Sequence, residues 1–299
     1  MELGPFLQLP VDEVARLVRA GGPKVCVFPI NGTRRWFTLE HGGQKWEDPI
    51  TAYMDLAGQN HIGLYRLFFD HGIETLLTPA FGPDLLSRGG EYVRRIGADG
   101  LARLAEGPAF LRFYDEYDVR VRFYGDHRRC LAGGEFAYLS DLFEAAAERT
   151  RGHQRYRLFF GVFANDATHS VAEYSAHYFQ KHERLPEKRE LIEMYYGEYV
   201  GPVDLFIGFD RFSAFDMPLV TTGEEDLYFT VSPSPYMDQT QLRRILYDHL
   251  YTRRSPEPEY ADLSPAELQE IRNFYTAQRG YTLGTGKLLH GIWIPEFRQ

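Results

Sequence analysis

Two arginines stand side by side in the run Asn31-Gly32-Thr33-Arg34-Arg35-Trp36. Guanidinium forks match phosphate oxygens in pairs. A glycine lets the backbone come close to an anion, and free N–H groups at the start of a following helix add positive potential there. Gly32, Thr33, Arg34 and Arg35 could therefore grip a phosphate or diphosphate. A solvated turn, with arginines that serve only solubility, is the plain alternative. Other charged groups make weaker candidates. Asp126-His127-Arg128-Arg129 could bind phosphate, although charged loops are commonly just solvated. Asn165-Asp166 follows an apolar run and could line a pocket. The histidines show no His-Glu-x-x-His spacing, and neither Cys26 nor Cys130 lies in a Cys-x-x-Cys pair. No Walker A loop or dinucleotide fingerprint is present.

The elements that must position these residues alternate between helix and short apolar strand. Residues 11–20 read as an opening helix, stopped by Gly21-Gly22-Pro23. Val25-Cys26-Val27-Phe28 is a continuous apolar run of the kind that suits a strand buried on both faces. The arginine loop follows it. Residues 50–70 read as a long helix and 73–77 as the next strand. Residues 108–117 read as helix and 119–124 as strand. Helix 139–148, strand 158–163, helices 171–179 and 187–196, strands 204–209 and 227–231, and helix 239–251 continue the rhythm. Ser264-Pro265-Ala266-Glu267 carries a capping-box pattern and opens a last helix. This alternation predicts an α/β fold with a mostly parallel central sheet flanked by helices. The Pro- and charge-rich segment 254–262 leads into a C-terminal helical extension (about 254–299) of one domain covering 1–299. In such a sheet, ligands bind beyond the carboxyl ends of the strands, so the first loop is the first place to look.

Composition sets the outer limits. The chain has 299 residues, 44% of them hydrophobic and 25% charged, which is ordinary for a soluble globular protein. The net charge of −9 argues against a broad nucleic-acid footprint. It leaves room for a small anionic substrate held by a few local arginines. No run approaches the roughly 18 apolar residues that a membrane span needs. The opening residues resemble no secretory signal, and two cysteines cannot build a disulfide framework, so a cytoplasmic protein with reduced thiols is expected. Aromatic residues reach 15%, with 20 Tyr and 22 Phe. They suit either a bulky core or a pocket for a large apolar ligand.

The motifs also carry a resemblance. Asn31-Gly32-Thr33-Arg34-Arg35-Trp36, placed after an apolar strand, resembles the Asp-Gly-Asn-x-Arg-Trp signature of the cis-prenyltransferase (undecaprenyl diphosphate synthase-like) superfamily. Val121-Arg122-Phe123-Tyr124-Gly125-Asp126 resembles that superfamily's later strand ending in Gly-Asp. Asp204-Leu205-Phe206-Ile207 and Leu227-Tyr228-Phe229-Thr230 resemble its last two strands. A narrower likeness covers nearly the whole chain, from about residue 9 to residue 293. Its carriers are Phe28-Pro29 with Gly32 to Phe37, His71-Gly72-Ile73-Glu74-Thr75, Tyr195-Tyr196-Gly197-Glu198-Tyr199-Val200, and Leu242-Arg243-Arg244-Ile245-Leu246-Tyr247-Asp248-His249. These resemble the tuberculosinol synthase / tuberculosinyl-adenosine transferase family, which includes kolavelool-synthase-like diterpene synthases.

The resemblance implies a cis-prenyltransferase fold and a specific chemistry. Members ionise a bicyclic C20 allylic diphosphate, and water or adenosine captures the cation. The first expectation is a diterpene synthase that makes an alcohol such as kolavelool, with Mg²⁺, in a homodimer. Transfer to adenosine is the alternative, and a non-catalytic partner subunit of a prenyl-synthesising complex is a third. Chain elongation is disfavoured, because Gly208 stands where elongating relatives place an arginine for the second diphosphate.

By position, the family's site tyrosines correspond to Tyr53 and Tyr92, and Trp36 and Phe81 are the pocket aromatics. Asp226 stands about where elongating relatives place a metal-binding glutamate, with a plain surface acid as the alternative. Asn31 departs from the pattern, since the family has aspartate there and uses it in catalysis. Three explanations stand: an inactivated Asp→Asn variant, which the intact remainder of the site suits; an enzyme that uses another group; or an inactive homologue.

Overall fold

The apolar runs pair into one six-stranded sheet. Its strands are β1 (Val25–Val27), β2 (Thr75–Phe81), β3 (Val119–Tyr124), β4 (Tyr156–Val162), β5 (Leu205–Phe209) and β6 (Asp226–Thr230). Their order is β3-β4-β2-β1-β5-β6, and every pairing is parallel. The computed structural model describes residues 1–22, 24–83, 89–90 and 93–296. From β1 the chain steps to one side for β2 and later returns to the other side for β5. The loops after β1 and β5 therefore part and leave a crevice at the carboxyl edge, where an open α/β sheet binds its ligands.

Apolar layers cover both faces of the sheet. On one face Phe28, Phe68, Phe69 and Phe160 belong to the larger core, which includes the helices α1 (Leu3–Leu7) and α2 (Val11–Gly21). On the other face Tyr124, Phe159, Tyr196 and Phe206 pack together. β1 and β5 are buried at every position, which explains their unbroken apolar sequence.

Several boundaries differ from the sequence reading for physical reasons. The arginine segment is not a free loop. Helix α3 (Thr33–His41) begins inside it, with Gly32 as its N-cap at φ 77°. Helix α4 (Pro49–Asp70) starts on Asp48, whose carboxylate accepts from the backbone N–H of Ile50 and Thr51. β2 runs on through Pro79, where a proline reads as a stop. The sheet absorbs it with a register shift between Pro79 and Phe81. The helix expected over 239–251 is α-helical only over Gln239–Tyr247 and finishes as a wider turn over Asp248–Thr252.

The C-terminal extension is not helical throughout. The helix Pro265–Gln278 has the expected Ser264–Glu267 capping box. An antiparallel hairpin then pairs β7 (Gly286–Leu289) with β8 (Ile292–Pro295). That helix buries none of its residues against the rest of the chain.

Candidate active site

Gly32 is the pivot of the site. A Cβ there would lie 2.8 Å from the Phe209 ring and 2.9 Å from Pro233, and the backbone is left-handed, so only glycine fits without strain. The tight turn points the first turn of α3 across the carboxyl edge of β1. Thr33, Arg34 and Arg35 occupy that turn, where the positive end of the helix and the guanidiniums suit an anion. The two Arg35 Nη atoms both lie 3.3 Å from Asp210 Oδ2, and the guanidinium stands 5.2 Å from the Phe209 ring centre. The β5 connection thus fixes the arginine that follows β1. Asp210 itself has a left-handed φ of 69°, and its other oxygen, Oδ1, is buried with no hydrogen-bond partner.

Beneath this turn a cavity of about 600 Å³ runs along α4. That is within the usual range for a small-molecule cleft. Tyr53, Met54, Ala57, Gly58 and His61 line it at helical spacing. Phe81, Leu101, Leu104 and Phe110 supply an apolar wall. Phe81 also packs on Phe163 with ring centres 5.4 Å apart. The Tyr53 hydroxyl lies 2.9 Å from Thr33 Oγ1 and so joins α4 to the arginine turn. Burial pulls the His61 imidazole down to about 4, which keeps it neutral near pH 7. Burial also holds the Tyr65 phenol well above its ordinary range.

The structure gathers most of the candidate residues. Asn31, Gly32, Thr33, Arg34, Arg35, Tyr53 and Phe81 all line the one cavity. Trp36 is not among its lining residues and stands edge-on to His41 instead. Tyr92 lies outside the described residues. Asp226 opens β6 and pairs with Leu205 at the start of β5, at the amino edge of the sheet. Its carboxylate is held by His249 at 2.6 Å and Arg253 at 3.0 Å. The rival basic loop is spoken for, with Arg129 paired to Asp126 and Arg128 to Glu144.

Among the described residues, no group of three or more His, Cys, Asp or Glu could hold a metal ion. Asn31 is uncharged, and Asp210 is engaged with Arg35. These side chains do not compose a Mg²⁺ site by themselves. Sequence reading missed Asp210, Phe215, Asp216, His61 and Arg103. The first three follow β5, and the rule that ligands sit beyond strand carboxyl ends was the available signal. Nothing in the sequence marks His61 or Arg103.

No protein-family model matches the chain. Against proteins of known function the likeness is extensive. The chain is 46% identical to tuberculosinyl adenosine transferase of Mycobacterium tuberculosis (strain CDC 1551 / Oshkosh), over 97% of each chain. It belongs to the tuberculosinyl adenosine transferase family. A more distant relative is (+)-kolavelool synthase of Herpetosiphon aurantiacus, at 23% identity over 98% of this chain and 95% of that one.

Solved structures show the same fold. Lavandulyl diphosphate synthase from Lavandula x intermedia, in complex with dimethylallyl diphosphate, superposes with a TM-score of 0.53 at 15% identity, over 84% of this chain and all of that one. A probable undecaprenyl diphosphate synthase from Campylobacter jejuni gives 0.54 at 15% identity, over 79% and 98%. The chain thus has the cis-prenyltransferase fold, and its relatives and structural neighbours are enzymes of prenyl diphosphate metabolism.

Proposed function

We propose that this protein ionises a bicyclic C20 allylic diphosphate and delivers the diterpenyl cation to a nucleophile inside the α4 cavity. The observation that carries the reading is an arginine-bearing helix start set over an apolar chamber lined by one face of α4. When the allylic C–O bond breaks, its electron pair leaves with the diphosphate. Arg34, Arg35 and the backbone N–H groups of the α3 first turn meet that charge as it grows. The apolar wall excludes water from the hydrocarbon, and aromatic faces such as Phe81 attract the cation without bonding to it. The Tyr53 hydroxyl, held on Thr33, orients the group that attacks. Mg²⁺ bound to the diphosphate would add positive charge to the leaving group; among the described residues no side-chain cluster would hold it, so the charge this chain itself supplies comes from Arg34 and Arg35.

Two nucleophiles are in view. The transferase at 46% identity favours adenosine, and the kolavelool synthase favours water and a diterpene alcohol. Chain elongation fits poorly. Gly208 carries no arginine for a second diphosphate, and a Cβ there would lie 2.8 Å from the Phe229 ring.

The deciding assay incubates the protein with tuberculosinyl, kolavenyl and geranylgeranyl diphosphates plus Mg²⁺, with and without adenosine, and reads products by mass spectrometry. A bicyclic substrate is consumed, and the product mass separates the adenosine adduct from the alcohol. If no bicyclic diphosphate is consumed by this protein or by its Asn31→Asp form, the reading fails.

We also propose that the protein works as a homodimer in the cytoplasm. Its C-terminal arm exposes apolar side chains that call for a cover, and both cysteines are free thiols.

A further inference from the structure

Asn31 leaves the diphosphate turn without the carboxylate that a cation-forming site can use. The cavity wall supplies one elsewhere. Asp216, in the connection after β5, lines the same cavity as Asn31, Arg34, Arg35 and Tyr53. It is half-buried and sits next to Phe215, which also lines the cavity. No other Asp or Glu is among the described lining residues.

The connection that presents it is built rather than loose. Among the described residues, seven non-glycine positions have a left-handed φ, and Asp210, Asp216 and Leu219 place three of them here. Such conformations persist where the surroundings over-determine them, and they concentrate at functional sites. Two buried tyrosines hold this segment from the sheet side. Tyr124 at the end of β3 donates its hydroxyl to the Asp216 carbonyl at 2.7 Å. Tyr196, at the end of the helix Lys188–Tyr196, donates to the Pro218 carbonyl at 2.7 Å. Met217 and Val220 are buried beside them. The Tyr195-Tyr196-Gly197 motif, far from the cavity in sequence, thus has a place in the site as a support for Asp216.

We infer that Asp216 is the catalytic carboxylate of this enzyme and takes over the acid–base role that Asn31 cannot fill. This rests on the diphosphate-ionising reading above. Diphosphate departs with the C–O electron pair. A water lone pair forms the new C–O bond to the allylic carbon, and the resulting oxonium gives one proton to the Asp216 carboxylate, which returns it to solvent. Where an adenine ring nitrogen attacks instead, no proton need leave. Asp216 then serves as counter-charge to the cation. Among the described lining residues His61 is the other side chain that could serve as a base near neutral pH. It is neutral, so it offers no counter-charge, and its Nε2 is shut off from solvent without a partner. Tyr124 and Tyr196 are positioning residues.

The test compares five proteins: the parent, Asp216→Asn, Asp216→Gly, Asn31→Asp and the double variant of Asn31→Asp with Asp216→Asn. Each receives the bicyclic diphosphate with Mg²⁺ and no adenosine, and alcohol and released diphosphate are measured. Asparagine adopts left-handed backbone readily, and Asp216→Gly serves as a second carboxylate-free form that needs no strain at φ 57°. Asp216→Asn and Asp216→Gly should both lose about 10²–10⁴-fold in alcohol formation. The double variant should recover at least a tenth of the parent rate, because a carboxylate is restored on the same cavity. With adenosine added, Asp216→Asn should lose alcohol by a larger factor than adduct. Asp216→Asn within threefold of the parent overturns the inference, as does a double variant no faster than Asp216→Asn. A parent that is inert while Asn31→Asp turns over also overturns it and leaves the proposed reaction standing. If all five are inert, the reaction and the inference fall together.

Discussion

Asn31 and Ser234 hold each other through two hydrogen bonds. The Asn31 backbone N–H donates to Ser234 Oγ at 3.1 Å, and the Ser234 N–H donates to the Asn31 carbonyl at 3.0 Å. Ser234 is buried, and its hydroxyl also donates to the Pro29 carbonyl at 3.3 Å. The backbone of position 31 is thus pinned whatever side chain it carries. Asn31→Asp should change charge without moving the chain, so its melting temperature should stay within about 2 °C of the parent's, as for a stability change under about 0.5 kcal/mol. Ser234→Ala removes both side-chain bonds, while the Asn31 N–H keeps the Pro29 carbonyl at 3.1 Å. It should cost about 0.5–1.5 kcal/mol in urea unfolding.

Arg35 is held at its post by one carboxylate oxygen and one ring. Arg35→Lys keeps the charge but loses the fork that spans two phosphate oxygens and the seat on Phe209. Single-turnover diphosphate release should fall by about 10²-fold, on the scale of losing one transition-state donor. Arg35→Ala should fall further and also leave Asp210 buried without its partner. A Lys form as fast as the parent would remove Arg35 from the leaving-group site.

Gly32 offers a stability test of the same turn. An alanine there would occupy left-handed backbone and press on Phe209 and Pro233. Gly32→Ala should destabilise the protein by about 1–3 kcal/mol from backbone strain alone. Because the strain falls between β1 and α3, the loss in diphosphate affinity should exceed what partial unfolding explains. Equilibrium unfolding and substrate binding, measured on one preparation, separate the two effects.

The parallel order of elements was legible because buried strands are continuous apolar runs and caps are local. Val119–Tyr124 and the Ser264 capping box stand where the residues put them. Two kinds of feature were not legible. Pro79 reads as a strand end, yet a bulge carries the strand past it, and bulges are set by the neighbouring strand. Asp216 and Tyr124 are 92 residues apart, and only the strand order β3-β4-β2-β1-β5-β6 brings their connections together. The arginine turn could be found from a local motif. Its companion carboxylate had only its place after β5 as a signal, because its approach to the arginines depends on tertiary placement.

Two histidines, the buried His127 and the half-buried His61, contribute an acid limit to stability. Burial pulls both His61 and His127 down to about 4. In the unfolded chain both titrate near 6.5. Between pH 6.5 and 4 the unfolded chain takes up protons that the folded chain refuses. Stability should therefore be full above pH 6.5, fall as pH drops toward 4, and lose nothing more to these groups below that. The loss is up to about 3 kcal/mol for each imidazole. His61→Gln should flatten the slope of unfolding free energy between pH 6.5 and 4. An unchanged slope would mean that His61 is protonated in the folded protein.

The C-terminal arm is built to be covered. The helix Pro265–Gln278 spaces Leu268, Ile271 and Tyr275 along one side, with Phe274 beside them, and all are exposed. The hairpin adds Leu288, 71% exposed, with Leu289 and Ile292. Helices of this length draw most of their stability from packing an apolar face, and this one has no buried residue. The body has an exposed apolar strip of its own, formed by Phe212, Leu227 and Val231 around the free edge of β6. A second copy offers both halves at once, arm to strip and strip to arm, which is the self-complementarity of a two-fold dimer. Sedimentation should show a dimer for the full chain. Removal of residues 255–299 should weaken association at least tenfold, and Tyr275→Glu with Leu288→Glu should do the same without shortening the chain. A truncated protein that stays dimeric at the same concentration would place the interface elsewhere on the body. A monomeric full chain would mean that the arm's apolar side faces a different partner.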